Sequence, residues 1–371
     1  MRIEHVVTRS HRRGAEIVAI ELADELDTLG DDDEVVALAL AFDGHADPRL
    51  APLVQTKSIG PISLLRSGWR LRRRLSASPA QIVIAHGGWA AQVIALGLGR
   101  KHGLLVWQRI LGMPERAWHG VRQAYWRWIA RRFDAAVVIS SELEREMERL
   151  GFRGPVWMIP NARNPARFEG IDRKEASNRL HAELDVAGTV FLVGFVGHLI
   201  QQKQPELAVE VLDELRRGGT DAHLVIAGVG PLRDSVEQRV AERGLQRHVT
   251  LLGHRHDIES IYGGVDLIVI TSESEGVPGV VIEAQMAGCP VVSFPVGSVT
   301  DVIDDGETGI VVERPDVGLT AHAIARLSAD EQTRHGMTKL GRERSAKYST
   351  AHTALVYHER LRDLLDHGGR P

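Results

Sequence analysis

The stretch DLIVITSESEGVPGVVIEAQMAGCPVVSF occupies residues 266–294. Its ends, DLIVITS (266–272) and PVVSF (290–294), are short apolar runs without polar alternation. Such runs fit strands buried on both faces of a parallel sheet. Its middle, VVIEAQMAG (280–288), reads as a helix that stops at Gly288. Strand, helix and strand make one crossover unit of a doubly wound α/β fold. Pro278 suits the first helical turn, where a missing N–H costs nothing. Gly276 and Gly279 let a ligand approach the backbone closely.

Two glutamates frame this helix start. Glu275 precedes it, and Glu283 leans back towards it because helical side chains tilt to the N-terminus. The start of a helix attracts anions, yet two carboxylates beside a phosphate repel it. The carboxylates are tolerable if they bind neutral hydroxyls. A ligand with phosphates in the middle and hydroxyls on both sides is a nucleotide-sugar. A cap acid for Glu275 and a solvated helix residue for Glu283 stay open on chemistry alone.

The same alternation runs along the chain. Strand-like runs stand at 3–8, 34–40, 81–85, 104–108, 135–140 and 156–160, then at 190–197, 223–228, 249–253, 266–272, 290–294 and 309–312. Helical patterns fall at 14–26, 140–151 and 353–367, with Ser140 or Ser141 as N-cap and Gly151 as a stop. Two sets of strands imply two doubly wound domains, and the polar, proline-bearing segment 160–180 marks the boundary. The expected division is 1–163, with the C-terminal helix of about 353–371 packed back on it, and 164–352. Ligands of such sheets bind at the carboxyl ends of the strands.

Composition narrows the classes. Cys289 is the only cysteine of 371 residues, which excludes a disulfide framework or a cysteine metal site. The opening residues lack an apolar leader core, and no apolar run approaches the ~18 residues of a membrane span, so a cytoplasmic location is expected. Net charge is −4, but residues 51–133 hold fourteen Lys/Arg and one acid, Glu115. All seven tryptophans lie between Trp69 and Trp157. Basic residues mixed with tryptophan suggest an anionic surface contact, and solvated helix faces with core tryptophans are the alternative.

Three further loops suit a phosphate. In FVGHLIQQKQPELAVEVL (195–212), Gly197 and His198 follow a strand and Lys203 stands at a helix start. In LVIAGVGPLRDSVEQ (224–238), Gly228 and Gly230 allow a tight turn, though Arg233 occupies the third glycine's place and close packing explains the pair equally well. Gly14 opens a helix after the first strand.

SESEGVPGVVIEAQMAGCPVV resembles the Glu-x7-Glu signature of the retaining nucleotide-sugar glycosyltransferases with the GT-B fold. GFVGHLIQQKQPELAVEVLDEL resembles that family's phosphate segment, IPNARNPARF its interdomain Pro-Asn-Gly segment, and RRGAEIVAIELADEL its N-terminal glycine helix. The resemblance implies two Rossmann-like domains facing across a cleft. It implies that Glu283 holds the ribose, while Glu275 and the segment Gly276, Val277, Pro278, Gly279 and Val280 hold the sugar and its phosphate. Lys203 and His198 would face the diphosphate, Gly14 and Gly228 would let their loops approach it, and His254 and Arg255 would flank the base. Catalysis would fall to Glu275 and Lys203, with His86 replacing the histidine the family often carries after the strand LLVW. Gln108 and Arg109 stand there instead, on the acceptor side. His198 stands where the family usually has arginine, and Gln204 replaces the glycine after the lysine.

The resulting expectation is a retaining, metal-independent transferase with no cofactor beyond its nucleotide-sugar donor. Its acceptor is an acidic, lipid-linked or glycan molecule, with peripheral contact to an anionic inner membrane face through residues 57–132. A GT-B epimerase or phosphorylase, a non-catalytic nucleotide-sugar binder, and a glycoside hydrolase built on Glu275 and Glu283 are the rivals. No nucleic-acid-binding motif is recognisable.

Overall fold

The computed structural model describes the chain except residues 9–13, 31, 38–39, 42–50, 54, 57–60, 99–101, 111, 113–117, 161, 276–277 and 368–371. It divides into two compact units, Met1–Ala162 with Thr350–Pro371, and Arg163–Ser349.

The first unit contains strands β1 (Arg2–Val7), β2 (Asp32–Ala37), β3 (Leu40–Ala41), β4 (Ala51–Pro52), β5 (Gln55–Thr56), β6 (Ile82–His86), β7 (Leu104–Arg109), β8 (Ala135–Val138) and β9 (Val156–Met158). Seven of them form a parallel sheet in the order β4-β2-β1-β6-β7-β8-β9, and β3 pairs with β5. Its helices are α1 (Gly14–Thr28), α2 (Pro61–Ala77), α3 (Gly88–Gly97), α4 (Gly120–Ala130) and α5 (Ser141–Arg149). Ser140 caps α5 by accepting from the Leu143 N–H, as its sequence position predicts. The last helix, Thr350–Asp366, buries Ala354, Tyr357, Leu361 and Leu364 among Ile3, Leu22, Leu26 and Ile82. The run read as one strand over 34–40 is instead β2, ending at Ala37, and the separate β3.

The second unit contains β10 (Phe191–Val196), β11 (Ala222–Ala227), β12 (Val249–Gly253), β13 (Leu267–Ile270), β14 (Val291–Ser293) and β15 (Gly309–Val311). They are parallel, in the order β12-β11-β10-β13-β14-β15. That is the doubly wound order with its reversal between β10 and β13, where such sheets bind ligands. Near-continuous apolar strands produce this burial: Leu192, Leu224, Val225, Ile226, Leu267 and Ile268 are inaccessible to solvent, beneath helices on both faces. Helices α6 (Arg173–Leu184), α7 (Pro205–Arg217), α8 (Arg233–Glu242), α9 (Ile258–Gly264) and α10 (Gly279–Ala287) follow in chain order.

Candidate donor site

The site lies where β10 and β13 end. β10 leads through Gly197 and His198 into a single 3-10 turn, Gln201–Lys203, and α7 begins two residues after Lys203 at Pro205. Lys203 therefore precedes the helix start rather than standing in it. Gln204 between them holds φ 45° and ψ 55°, the left-handed conformation. This conformation costs a residue with a Cβ roughly 1–2 kcal/mol, which explains why glycine suits the position.

β13 leads into the loop carrying Glu275, and the two loops are stitched together. The Glu273 N–H donates to the Gln202 carbonyl at 2.9 Å, Gln202 Nε2 to the Ser274 carbonyl at 3.0 Å, and Thr271 Oγ1 to the Gln204 carbonyl at 3.0 Å. On this frame Lys203 Nζ lies 2.6 Å from both carboxylate oxygens of Glu275. The Ser272 hydroxyl donates to Glu275 Oε1, also at 2.6 Å. The Glu275 side chain is 8% exposed.

Pro278 stands just before α10 instead of in its first turn. Pro278 is its N-cap with φ −74°, Gly279 its first residue, and Gly288 its left-handed C-cap. Proline's fixed φ suits the extended N-cap as well as the first turn. Glu283, on the second turn, accepts from Arg163 Nε at 2.8 Å and from the Tyr262 hydroxyl at 2.9 Å. Burial, and then the Glu283 charge, push the Tyr262 hydroxyl well above its ordinary pKa, so it stays a donor. The Arg163 guanidinium lies against Gly279, where any Cβ would overlap it. Its backbone is fixed by the Arg163 N–H, which donates to the Tyr348 carbonyl at 2.8 Å.

These contacts answer the charge conflict that the sequence raises. Each carboxylate at the helix mouth is neutralised by its own cation, Glu275 by Lys203 and Glu283 by Arg163. The partial positive charge of the α10 N-terminus is then left uncancelled for an anion. Arg163, Tyr262 and Ser272 escaped the sequence reading. The unbalanced charge of two glutamates was the signal that cations had to stand nearby.

Other expected residues fall elsewhere. Gly228 and Gly230 are where the loop after β11 presses on the loop after β10, and Cβ atoms there would overlap the carbonyls of Gly197 and Leu199. Close packing thus accounts for that glycine pair. His198 is exposed beside it. His254 and Arg255 follow β12, the edge strand two places from β10. Arg255 is committed to Asp257, at 2.8 Å, and to Glu183, and these bonds raise its pKa. Val280 is half-buried on the first turn of α10, while Gly276 and Val277 lie outside the described residues.

In the first unit the sheet reverses between β1 and β6, and His86 ends β6. His5 Nδ1 and His86 Nε2 are 3.0 Å apart, and both rings are buried. Burial, then the neighbouring His5, hold the His86 pKa well below the ordinary value, so His86 is neutral at pH 7. His86 and Gln108, on paired residues of neighbouring strands, are both buried, and a bond from Gln108 to the His86 ring weakly opposes the lowering of its pKa. Arg109 is buried against Glu146, with its guanidinium 5.1 Å from the Trp107 ring. Gly14 is the first residue of α1, and the loop before it lies outside the described residues.

Comparison with known proteins bears on the fold and the family. Residues 177–344 match the family model of glycosyl transferases group 1, and residues 12–167 that of glycosyltransferase family 4. A 2-deoxystreptamine glucosyltransferase of Streptomyces kanamyceticus is 25% identical over 84% of this chain and 87% of its own. A D-inositol 3-phosphate glycosyltransferase of Nocardia farcinica is 30% identical over 60% of this chain and 51% of its own. Apart from the glucosyltransferase, the chain spans about half or less of the length of these curated relatives. The crystal structure of Anabaena Alr3699/HepE in complex with UDP superposes with a TM-score of 0.83 at 19% identity, covering 98% of this chain and 100% of that one. The fold is therefore GT-B, α/β with two doubly wound Rossmann-like units, and the chain belongs to the glycosyltransferases of group 1 and family 4.

Proposed function

We propose that the protein is a retaining glycosyltransferase that moves a hexose-type sugar from a nucleoside diphosphate to an acidic, lipid-linked or glycan acceptor. One observation carries the reading: two neutralised carboxylates, Glu275 with Lys203 and Glu283 with Arg163, border a helix N-terminus at the sheet's switch point. Glu283 takes the ribose hydroxyls and Glu275 the sugar hydroxyls. The diphosphate sits between them on the start of α10. In the reaction the bond from the anomeric carbon to the diphosphate oxygen breaks. A bond from that carbon to the acceptor oxygen forms with the configuration kept, and the acceptor proton leaves to the diphosphate. Lys203 keeps a donor for the departing phosphate, which gains the most charge in the transition state. In this reading that remaining donor and the α10 N-terminus carry the phosphate without a metal.

The named relatives support this reading. Acceptors in their names are hydroxylated rings, one of them a phosphate ester, and an anionic acceptor suits the basic half of this chain. The test is kinetic. Glu283→Ala weakens donor binding, whereas Glu275→Ala lowers turnover more than nucleotide affinity. The reverse pattern overturns the assignment. A non-catalytic nucleotide-sugar binder is the second reading. It is favoured by Arg109, which is locked on Glu146 where the family often places a histidine. An epimerase or phosphorylase would use the same loops without a sugar acceptor. Wild-type turnover with an acceptor glycan separates these from the transferase.

A further inference from the structure

Helix α2 buries Ser67, Leu71 and Leu75 against the first unit, yet its N-terminal half turns Ile62, Leu65 and Trp69 to solvent, the last two 68% and 61% exposed. On an ordinary surface helix the face turned from the core is polar. Beside it α3 exposes Trp89 and Leu96 along one stripe. The two helices approach closely: a Cβ on Gly97 would lie 3.3 Å from the Gly68 carbonyl. The exposed apolar rows therefore run side by side. Between them lies a groove of about 480 Å³, floored by Gly68, Gly97 and Val93 and closed at one end by Tyr125 of α4, which bonds Gln92 at 3.1 Å. That volume is in the range of built small-molecule sites. Scattered exposed apolar residues are ordinary, but a contiguous patch with a groove marks a binding surface.

Charge says what kind. Arg66, Arg70, Arg72 and Arg73 are exposed on the same helix, which has no acidic residue. Arg72 lines the groove, and Arg73 lies over the Trp69 ring at 5.5 Å. α4 adds exposed Arg122 and Arg127 and likewise no acid. Apolar and tryptophan side chains rimmed by arginines are the chemistry of a surface seated in an anionic bilayer interface.

We propose that the α2–α3–α4 face docks on an anionic lipid bilayer, with one lipid hydrocarbon chain lying in the groove and its phosphate head on Arg72 and Arg73. The inference rests on the proposed reading of a lipid-linked acceptor and deepens it by assigning the surface that meets the membrane. It uses no residue of the donor site.

The test is sedimentation of the full chain with vesicles of phosphatidylcholine alone or mixed with phosphatidylglycerol. The wild type pellets with the mixed vesicles and stays largely in solution with the neutral ones. Leu65→Ser with Trp69→Ser, and separately Arg72→Ser with Arg73→Ser, each weaken partition about tenfold. Phosphatidylglycerol brominated in its chains quenches tryptophan emission, and Trp69→Phe with Trp89→Phe removes most of that quenching. Because these side chains are exposed, the variants fold, and their donor affinity matches the wild type. Equal pelleting of wild type and variants, absence of quenching, or a dimer in sedimentation velocity that the Leu65 and Trp69 changes abolish would each overturn the proposal. None of those results touches the donor reading, which donor binding and turnover test separately.

Discussion

Lys203 and Glu275, 72 residues apart in sequence, meet as a bidentate ion pair with both N–O distances at 2.6 Å. The pair sits between two stitched loops, with Glu275 nearly buried and Lys203 23% exposed. Removing the ammonium strands a carboxylate in a site that water barely reaches. Lys203→Met should cost roughly 2–3 kcal/mol of stability, somewhat below the range for fully buried pairs. Lys203→Met combined with Glu275→Gln should cost less than the sum of the two single changes, by roughly 1–2 kcal/mol. Denaturant titration of the four proteins gives the cycle. Strict additivity would show that the pair is not coupled.

Arg163 offsets the charge of Glu283 at the helix mouth. Arg163→Ala should therefore weaken binding of a nucleoside diphosphate about tenfold, the scale of one charge-assisted hydrogen bond. The uncharged nucleoside should bind nearly as before. Calorimetric titration of both ligands separates the cases, and equal losses for the two would point to general disruption instead.

Gln204 is one of two non-glycine residues with positive φ among those described. Gln204→Gly removes the strain of a Cβ in that conformation, and the greater freedom of glycine in the unfolded chain returns part of the gain. The expected net is about 0.5–1 kcal/mol of added stability, visible as a rise of Tm by a few degrees. Gln204→Ala keeps the Cβ and should leave Tm unchanged.

Much of the fold was legible because its strands are buried on both faces and so read as unbroken apolar runs. Both crossover sets, the cap at Ser140 and the stop at Gly288 follow from local chemistry. Long-range pairings were not legible. Arg163 meets Glu283 across 120 positions, and nothing local in NARNPARF distinguishes Arg163 from Arg167. Nor does periodicity reveal that α2 turns Leu65 and Trp69 outward, since a helix pattern shows which residues share a face but not which face is covered. For the pair Gly228 and Gly230 the sequence leaves phosphate binding and close packing equally open, and the carbonyls of the neighbouring loop show the packing role.

Two buried histidines contribute to the acid limb of stability. The His86 pKa is depressed, and burial with neighbouring positive charge takes His223 down to about 4. Both stay neutral in the folded state, while the unfolded chain takes up their protons below about pH 6.5. Their contribution is full above that pH and is lost as pH falls towards the folded values. Unfolding free energy should thus decline between pH 6.5 and 5 by up to about 1.4 kcal/mol per pH unit for each histidine. His86→Gln should flatten the decline by about one proton. An unchanged slope in denaturant titrations across that range would remove His86 from the account.

The central claim, a nucleotide-sugar held across the start of α10, is tested most directly by thermal shift against a panel of UDP-, GDP- and ADP-sugars. Stabilisation grows with ligand concentration over Kd. Tm should rise with the concentration of at least one of them, and rise less in Glu283→Ala and in Lys203→Met. No shift with any of them, at concentrations far above those of ordinary donors, would contradict it.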